Sequence, residues 1–167
     1  MFTSIKRRLA DMATIKTLCM AAERHANAEG RQQPGAEHFI LAALELPDGS
    51  AAAAFRRLQA DPAAFRAAIE RQYEDALSGV GGGAALPDAV PVTADGGVYR
   101  AGASGQALLQ ALAAQDKAGQ PLLGAHVLLA ASAAQQGVAV RALRAMGITP
   151  DALAHAARQE TATHAAR

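Results

Sequence analysis

The chain has 167 residues, the size of one ordinary domain, and its 16 basic and 15 acidic residues leave a formal net charge of only +1. So weak a field, without a block of Lys and Arg interleaved with aromatic residues, argues against nucleic acid or an anionic membrane as the partner. One cysteine excludes an internal disulfide and suits a reducing compartment, and the lack of a signal-peptide pattern or of a run of about 20 apolar residues predicts a cytoplasmic protein.

Four helices are predicted in the first half of the chain. Ala and Leu dominate, β-branched residues are sparse, and apolar residues recur every three or four positions. Gly30 ends the first helix, Pro34-Gly35 opens the second, and Asp61-Pro62 has the pattern of an N-cap followed by proline at the first helical position. The predicted helices run from about Asp11 to Ala28, from Ala36 to Leu46, from a cap at Asp48 or Ser50 to Leu58, and from Pro62 to Leu77.

The stretch Ser78–Gly97 is rich in glycine and proline and has few large apolar residues, which is typical of a flexible linker. A glycine-rich phosphate cradle is the functional alternative. No Gly-Lys-Ser/Thr follows these glycines and no strand precedes them, so the linker interpretation is preferred.

Behind the linker the helical pattern returns. The four predicted helices run from about Ala103 to Ala118, from Leu122 to Gln135, from Val138 to Met146, and from Asp151 to Glu160, the last after a Thr149-Pro150 cap. Residues 161–167 are expected to form a frayed tail.

The two halves resemble each other at a constant offset of 88 residues. His38 coincides with His126, Gly49 with Gly137, Arg56 with Arg144 and Pro62 with Pro150. Because these are four different residue types in one register, the match is not a by-product of the high alanine content, and it indicates an internal duplication. We expect one domain over residues 1–160, with a first repeat at about 10–77 and a second at about 98–160.

The sequence GAEHFILAAL at Gly35–Leu44, preceded by Gly30 and followed by an Asp-Gly turn, resembles the signature of the Clp N-terminal repeat. This repeat forms the tandem helical domain at the front of Clp-type AAA+ unfoldases. The resemblance covers about residues 10–160 and is weaker in the second repeat, where Ala125 precedes His126. It implies an all-α domain of about eight helices, in which two four-helix units pack with pseudo-twofold symmetry.

The same resemblance implies a protein- or peptide-binding role, because Clp N-terminal domains recruit substrates or adaptor proteins to an ATP-driven unfoldase. The sequence contains no Gly-x-x-x-x-Gly-Lys-Ser/Thr motif, so ATP turnover by that route is excluded, and neither an enzymatic activity nor a cofactor is expected. The predicted function is that of an adaptor or regulator in ATP-dependent proteolysis and protein quality control.

The alternative function is that of an all-α small-ligand-binding protein or hydrolase with a pocket between the repeats. The two functions predict different surfaces. A binding module should present an open apolar groove or patch where the repeats meet, whereas the alternative requires an enclosed pocket with converging polar groups.

Some members of the family hold the guanidinium of a phosphorylated arginine with an acidic residue before each histidine, helped by threonines at the start of the first helix of each unit. Glu37 stands at the first acidic position and Ala125 at the second, while Met12 and Arg100 stand at the threonine positions. An alanine cannot accept the charge-assisted hydrogen bonds that a guanidinium requires, so phosphoarginine recognition is not expected at the second site. Glu37, Met12 and Arg100 are therefore the candidate partner-binding residues. Two alternatives stay open: Glu37 only stabilises the first turn of its helix, or the second repeat has become a scaffold for one surface on the first.

His38, His126, Pro62 and Pro150 are expected to be structural. Neither histidine has an Asp, Cys or second His at ligand spacing, so each is predicted to tie its loop to its helix by a side-chain hydrogen bond rather than to bind a metal. The two prolines start helices.

Cys19, in the middle of the first helix, is interpreted as a small buried apolar residue. The alternative makes it a nucleophile with His25 or His38 as its base, but an apolar mid-helix position lacks the features that lower a thiol pKa. His25, His155 and His164 are expected on surface faces.

Overall fold

Eight α-helices, and no strand, make up the regular structure of residues 2–79 and 100–166, the residues that this computed structural model describes. They are α1 (Phe2–Ala28), α2 (Ala36–Leu44), α3 (Ser50–Arg57), α4 (Pro62–Gly79), α5 (Ala103–Ala114), α6 (Gly124–Ser132), α7 (Val138–Ala145) and α8 (Pro150–Ala165). The prediction of an all-α fold with about eight helices is confirmed. None of the helices in these ranges has a stretch long and apolar enough to cross a membrane.

The second four helices repeat the first four in register. α6 and α7 have the bounds of α2 and α3 displaced by 88 residues, and α8 begins 88 residues after α4. The left-handed backbone positions recur as well: Gly30, Gly49 and Gln59, with φ of 69°, 67° and 55°, are followed by Ala118, Gly137 and Gly147, with φ of 47°, 116° and 77°. Because positive φ is uncommon, its recurrence at the same offset shows that the loops are repeated together with the helices.

Unit one (α1–α4) and unit two (α5–α8) are interlocked. α4 packs against α7 and α8 packs against α3, so the last helix of each unit covers the third helix of the other. α2 and α6 pack against each other, and they carry α1 and α5 respectively. The resulting core takes large side chains from both units, among them Phe39, Phe55, Phe65, Ile69, Leu128 and Leu153. Burial of side chains of this size stabilises the fold by about 1.5–3 kcal/mol each.

Each unit also caps the second helix of the other. Ser104, in the first turn of α5, accepts a hydrogen bond at 3.1 Å from the backbone N–H of Ala36 in α2. In the reverse direction, Ser50 of α3 accepts one at 2.8 Å from the N–H of Ala125 in α6. Since the first N–H groups of a helix have no partner within it, these contacts complete α2 and α6 across the unit boundary.

The start of α5 lies unusually close to the loop before α2. The N–H of Gly102 donates to the carbonyl oxygen of Pro34 at 3.0 Å. A Cβ atom at Gly105 would lie 2.5 Å from the same oxygen. Gly105 therefore sets how closely the two units approach on this side.

Pro62 and Pro150 are the first residues of α4 and α8. In each case the preceding residue, Asp61 or Thr149, accepts a hydrogen bond from a backbone N–H of the first turn, at 2.9 Å and 3.2 Å. Both helices thus begin with a side-chain cap followed by a proline whose missing N–H costs nothing there.

The first helix begins at Phe2, nine residues before the predicted start at Asp11. Residues 2–10 contain neither glycine nor proline, and Arg7 holds this segment on unit two by donating to the carbonyl oxygen of Gly119 at 3.0 Å. Asp11 accepts a hydrogen bond at 2.8 Å from the N–H of Leu122. Contacts with the other unit, which the local sequence pattern does not reveal, support the longer helix.

The last helix runs to Ala165, so the expectation of a frayed tail over 161–167 is wrong for residues 161–165. The hydroxyls of Thr161 and Thr163 donate to carbonyl oxygens of the preceding turn, at 2.9 Å and 2.8 Å. His164 Nε2 lies 3.3 Å from the carbonyl oxygen of Asp48, beside α3. Packing against unit one therefore continues α8 beyond its predicted end.

Other helix boundaries differ by a few residues. α2 ends at Leu44 instead of Leu46, α5 ends at Ala114 instead of Ala118, and α6 spans Gly124–Ser132 instead of Leu122–Gln135. The side-chain amide of Gln115 donates a hydrogen bond to the carbonyl oxygen of His126 at 2.9 Å, at the point where the chain leaves α5. α4 includes residues 78 and 79 of the predicted linker. The rest of that linker, residues 80–97, lies outside the described residues.

Candidate functional site

Glu37, the candidate acidic residue, lies in the first turn of α2 and is buried. Its Oε1 accepts a hydrogen bond from the hydroxyl of Tyr73 in α4. The carboxylate lies over Gly35, because a Cβ atom there would be 2.6 Å from the same oxygen. The acidic group is therefore turned into unit one and engaged by the protein itself.

Tyr73 is covered on one face by Arg31, whose guanidinium carbon lies 3.8 Å from the ring centre. Burial, followed by the hydrogen bond to Glu37 and the charge of that carboxylate, raises the pKa of the Tyr73 hydroxyl well above its ordinary value. The phenol consequently stays protonated at neutral pH and remains a donor to Glu37.

Met12 and Arg100, the other two candidates, do not lie together. Arg100 is just before α5, whose start is hydrogen-bonded to Pro34 in the loop that leads to Glu37. Met12 is exposed on α1, and the neighbouring Asp11 accepts a hydrogen bond from the N–H of Leu122, just before α6. The segment of Arg100 therefore contacts the loop before Glu37, and the segment of Met12 contacts the loop before Ala125.

His38 is buried and bridges its loop and its helix. Its Nδ1 accepts a hydrogen bond at 2.8 Å from the N–H of Gly35, and its Nε2 lies 2.9 Å from Oε2 of Glu29. The ring proton is therefore on Nε2 and is donated to Glu29. His126 makes the first of these contacts in unit two, where its Nδ1 accepts a hydrogen bond at 3.0 Å from the N–H of Leu123.

His25 is buried, contrary to the expectation of a surface position. Its Nδ1 lies 2.7 Å from Nη2 of Arg66, and its Nε2 lies 2.9 Å from Oε1 of Glu45. Burial lowers the pKa of His25 below its ordinary value, Glu45 opposes that shift, and Arg66 adds to it. The ring of His25 is therefore neutral at pH 7 and lies between the cation Arg66 and the anion Glu45.

The charged groups around His25 and His38 are not repeated in unit two. Arg66 Nη1 lies 3.9 Å from Oε1 of Glu29, which connects the His25 contacts to those of His38. The positions 88 residues after Glu29, Glu37, Glu45 and Arg66 hold Lys117, Ala125, Ala133 and Ala154. Duplication kept the backbone of both units while only unit one carries this polar cluster.

An open apolar groove of about 290 Å³ lies where α5 meets the connection between α6 and α7, and Ala36 of α2 contributes to its lining. Eight of its fourteen lining residues are alanine and none is charged. Ser104, Gln135 and Gln136 are the polar residues of the lining. The short side chains leave a depression whose walls are almost entirely aliphatic, and it draws on both units.

Sequence reasoning did not identify this groove, because an alanine-rich helix face looks the same whether it is buried or lines a depression. The offset of 88 residues was the only available signal. It places Lys16, Cys19, Met20 and Glu23 of α1 at the positions of Ser104, Ala107, Leu108 and Ala111 in α5. On unit one, these larger side chains of α1 line a shallower depression together with Met12 and Ile15.

Cys19 is half-buried on α1 and packs beside the core. Burial, and after it the charge of Glu23, raises the pKa of its thiol. A protonated thiol is a poor nucleophile. Within residues 2–79 and 100–166, no group of three or more His, Cys, Asp or Glu side chains is arranged to hold a metal ion.

Comparison with known proteins identifies one family. The model of the Clp repeat (R) N-terminal domain matches residues 13–93, which span most of unit one and the segment that follows it. No curated protein matches the chain.

Proposed function

Because this chain belongs to the Clp repeat N-terminal domain family, we propose that it is a non-catalytic module that binds a protein or peptide in the apolar groove. The groove itself is the observation that carries the proposal, since it is open and apolar, no charged residue lines it, and Ala36 of unit one completes a lining that unit two otherwise supplies. Family membership supports a protein partner in general, and the groove supplies a place for one.

The lining of the groove suits apolar side chains of a polypeptide. Each CH₂ group that a partner buries there contributes about 0.8 kcal/mol, and the alanine walls leave the space for it. Gln135 and Gln136 offer amide donors and acceptors to a partner backbone at the α6–α7 connection. An apolar centre with polar groups around it is the usual plan of a protein interface.

The alternative of a hydrolase or a small-ligand site receives less support. Such a site requires titratable or polar groups that converge on one point. The charged cluster of unit one includes His38, Glu29, Arg66 and His25, but its members pair with one another and none of them lines the groove.

Of the three candidate partner-binding residues, Arg100 fits the proposal best. It is exposed and lies four residues before Ser104 at one end of the groove, where it can bind a carboxylate of the partner. Glu37 contributes indirectly, because it stabilises the start of α2, next to Ala36 of the groove. Neither Glu37, which already binds Tyr73, nor Ala125 supplies an anchor for phosphoarginine.

We further propose that the partner connects this module to ATP-dependent unfolding in the cytoplasm, as an adaptor or regulator in proteolysis and protein quality control. Family membership supports this role, and so does the sequence, since its 167 residues contain no Walker A motif. The module would then act by recruiting a polypeptide and not by turning over ATP.

The binding proposal is tested by fluorescence anisotropy with a labelled peptide that carries two leucines three residues apart, and with a version in which both leucines are serine. We expect the leucine peptide to bind more tightly by at least about tenfold. The Ala107→Glu variant places a charge in the groove and should abolish the difference. Ala113→Glu, on an exposed part of α5 outside the groove, is the matched control. Equal binding of the two peptides, or an unchanged response of Ala107→Glu, would contradict the proposal.

The role in proteolysis is tested separately by affinity capture from the native lysate, followed by mass spectrometry. Recovery of a Clp-type unfoldase, its peptidase or an adaptor with the wild-type protein, and its loss with Ala107→Glu, is the expected result. If the lysate contains these proteins but none of them is captured, the role in proteolysis is contradicted. The proposal that the groove binds a polypeptide is not affected by that result.

A further inference from the structure

The outer face of α1 exposes five large apolar side chains. Ile5, Leu9, Met12, Ile15 and Met20 are exposed to 55%, 62%, 66%, 40% and 60%. Scattered exposed apolar residues are normal, but five on one helix form a continuous patch, and such patches mark interaction sites. In the described residues Leu77 is the only other exposed large apolar side chain.

The spacing of these residues places them on one side of the helix. Ile5, Leu9 and Met12 begin a line that continues through Lys16 and Cys19 at steps of three and four residues, and this line is the stripe. Ile15 and Met20 are the chain neighbours of Lys16 and Cys19 and flank the stripe. The opposite side carries Arg7, Asp11, Leu18 and Ala22, which contact unit two or lie in the core. The stripe therefore faces away from the rest of the molecule, except at Cys19, which is half-buried beside the core.

Three charges accompany the stripe: Arg8 near its beginning, Lys16 at its centre and Glu23 at its end. All three are exposed, and none takes part in an ion pair with another described residue. The two ends of the stripe thus have opposite charge, and a partner must match this polarity.

A second copy of the same helix matches it when the two helices run antiparallel. In the register that places Arg8 opposite Glu23 of the second copy, the twofold axis passes between Ile15 and Lys16, and Met12 faces Cys19 of the second copy. The Arg8–Glu23 pair then occurs twice. This register also brings the two Lys16 side chains together at the axis, which is one like-charge contact. A parallel arrangement would instead place Arg8, Lys16 and Glu23 each opposite its own like charge, which costs more free energy.

From this complementarity we propose that the outer face of α1 is the interface of an antiparallel homodimer. One pair of helices buries a small area, so the dimer is weak and depends on concentration. The groove lies on α5 and stays accessible, so a dimer presents two grooves and binds a multivalent partner with a higher effective concentration. The proposal does not depend on what the groove binds.

The charge pairing is tested by sedimentation equilibrium over a range of protein concentrations at low salt. The wild-type protein should approach twice the mass of one chain. Arg8→Glu and Glu23→Arg should each weaken the dimer by about tenfold, and the double variant should restore it. Leu77→Ser removes an exposed apolar side chain elsewhere and should have no effect. A monomer at all concentrations, or a double variant weaker than either single variant, would overturn the proposal.

The register is tested by disulfide formation between copies under mild oxidation. Met12→Cys, with Cys19 present, should yield a covalent dimer. The wild-type protein and the Met12→Cys/Cys19→Ser variant should not, because identical positions are seven residues, about 10 Å, apart along the paired helices. Equal crosslinking in all three proteins would contradict the register. If the chain is monomeric and Met12→Glu abolishes binding of the labelled leucine peptide, the face serves another polypeptide and the homodimer is excluded.

Discussion

The hydroxyl of Tyr73 in α4 donates a hydrogen bond to the carboxylate of Glu37 in α2, 36 residues earlier in the chain. This bond gives a buried acidic group a partner inside unit one. The carboxylate also lies over Gly35, just before α2, so Glu37 supports the start of that helix.

Replacement of Tyr73 by Phe should therefore lower the free energy of unfolding by about 1–3 kcal/mol, because it leaves the buried carboxylate without its hydroxyl donor. Urea unfolding of the variant measures the loss. In a double-mutant cycle with Glu37→Gln, the two losses should not add up. Full additivity would show that the two side chains do not interact.

Gly105→Ala should destabilise the protein by about 1–3 kcal/mol, although alanine is the better helix former. The new Cβ atom would lie 2.5 Å from the carbonyl oxygen of Pro34 and 3.1 Å from the ring of Phe39. Gly79→Ala, in a helix and with no atom within 4 Å of its new Cβ, is the matched control and should be neutral or stabilising. Thermal unfolding of both variants measures these changes in stability. A Gly105→Ala variant that is more stable than the wild-type protein would show that the two units can move apart.

Stability should decrease as the pH falls below about 7. Burial lowers the pKa of His25 and of His126 below the ordinary value of 6.5. As the pH falls through that value, the unfolded chain binds protons that the folded protein does not, so each ring contributes up to about 1.4 kcal/mol per pH unit to the loss.

Urea unfolding between pH 8 and pH 5 measures this slope. His126→Gln should reduce it even if the variant is less stable at pH 8, and the exposed His155→Gln is the matched control. A wild-type protein that becomes more stable toward pH 5 would contradict the assignment of these two histidines as neutral groups.

Arg57→Ala should destabilise the contact between α3 and α8 by about 1–2 kcal/mol. It leaves the buried Glu160 without the cation that pairs with it, and the partial exposure of Arg57 keeps the loss below that of a fully buried pair. Arg56→Ala removes a neighbouring exposed arginine and should change the free energy of unfolding by less than about 0.5 kcal/mol. Equal effects of the two substitutions would mean that the ion pair adds nothing.

The parts of the fold that sequence reasoning predicted well are those that local chemistry decides. Asp61-Pro62 and Thr149-Pro150 each start a helix through a local cap and a proline, and Gly30 follows the end of another with a positive φ. The start of α1 and the end of α8 were predicted badly because they depend on distant partners, such as Gly119 for Arg7.

The candidate site was harder to predict for the same reason. The position of Glu37 in its motif says nothing about Tyr73, which approaches from another helix and turns the carboxylate inward. Nor does the motif reveal that Asp11, beside Met12, bonds to the loop before α6, or that Ser104 of α5 caps α2. The groove consists mostly of alanines, whose role depends entirely on what stands next to them.

The caps that Ser50 and Ser104 exchange also show how the two units have diverged. The serines do not occupy equivalent positions, since Val138 stands 88 residues after Ser50 and Lys16 stands 88 residues before Ser104. Each unit has thus become specialised for its neighbour, and neither could be exchanged for a copy of the other without the loss of a cap.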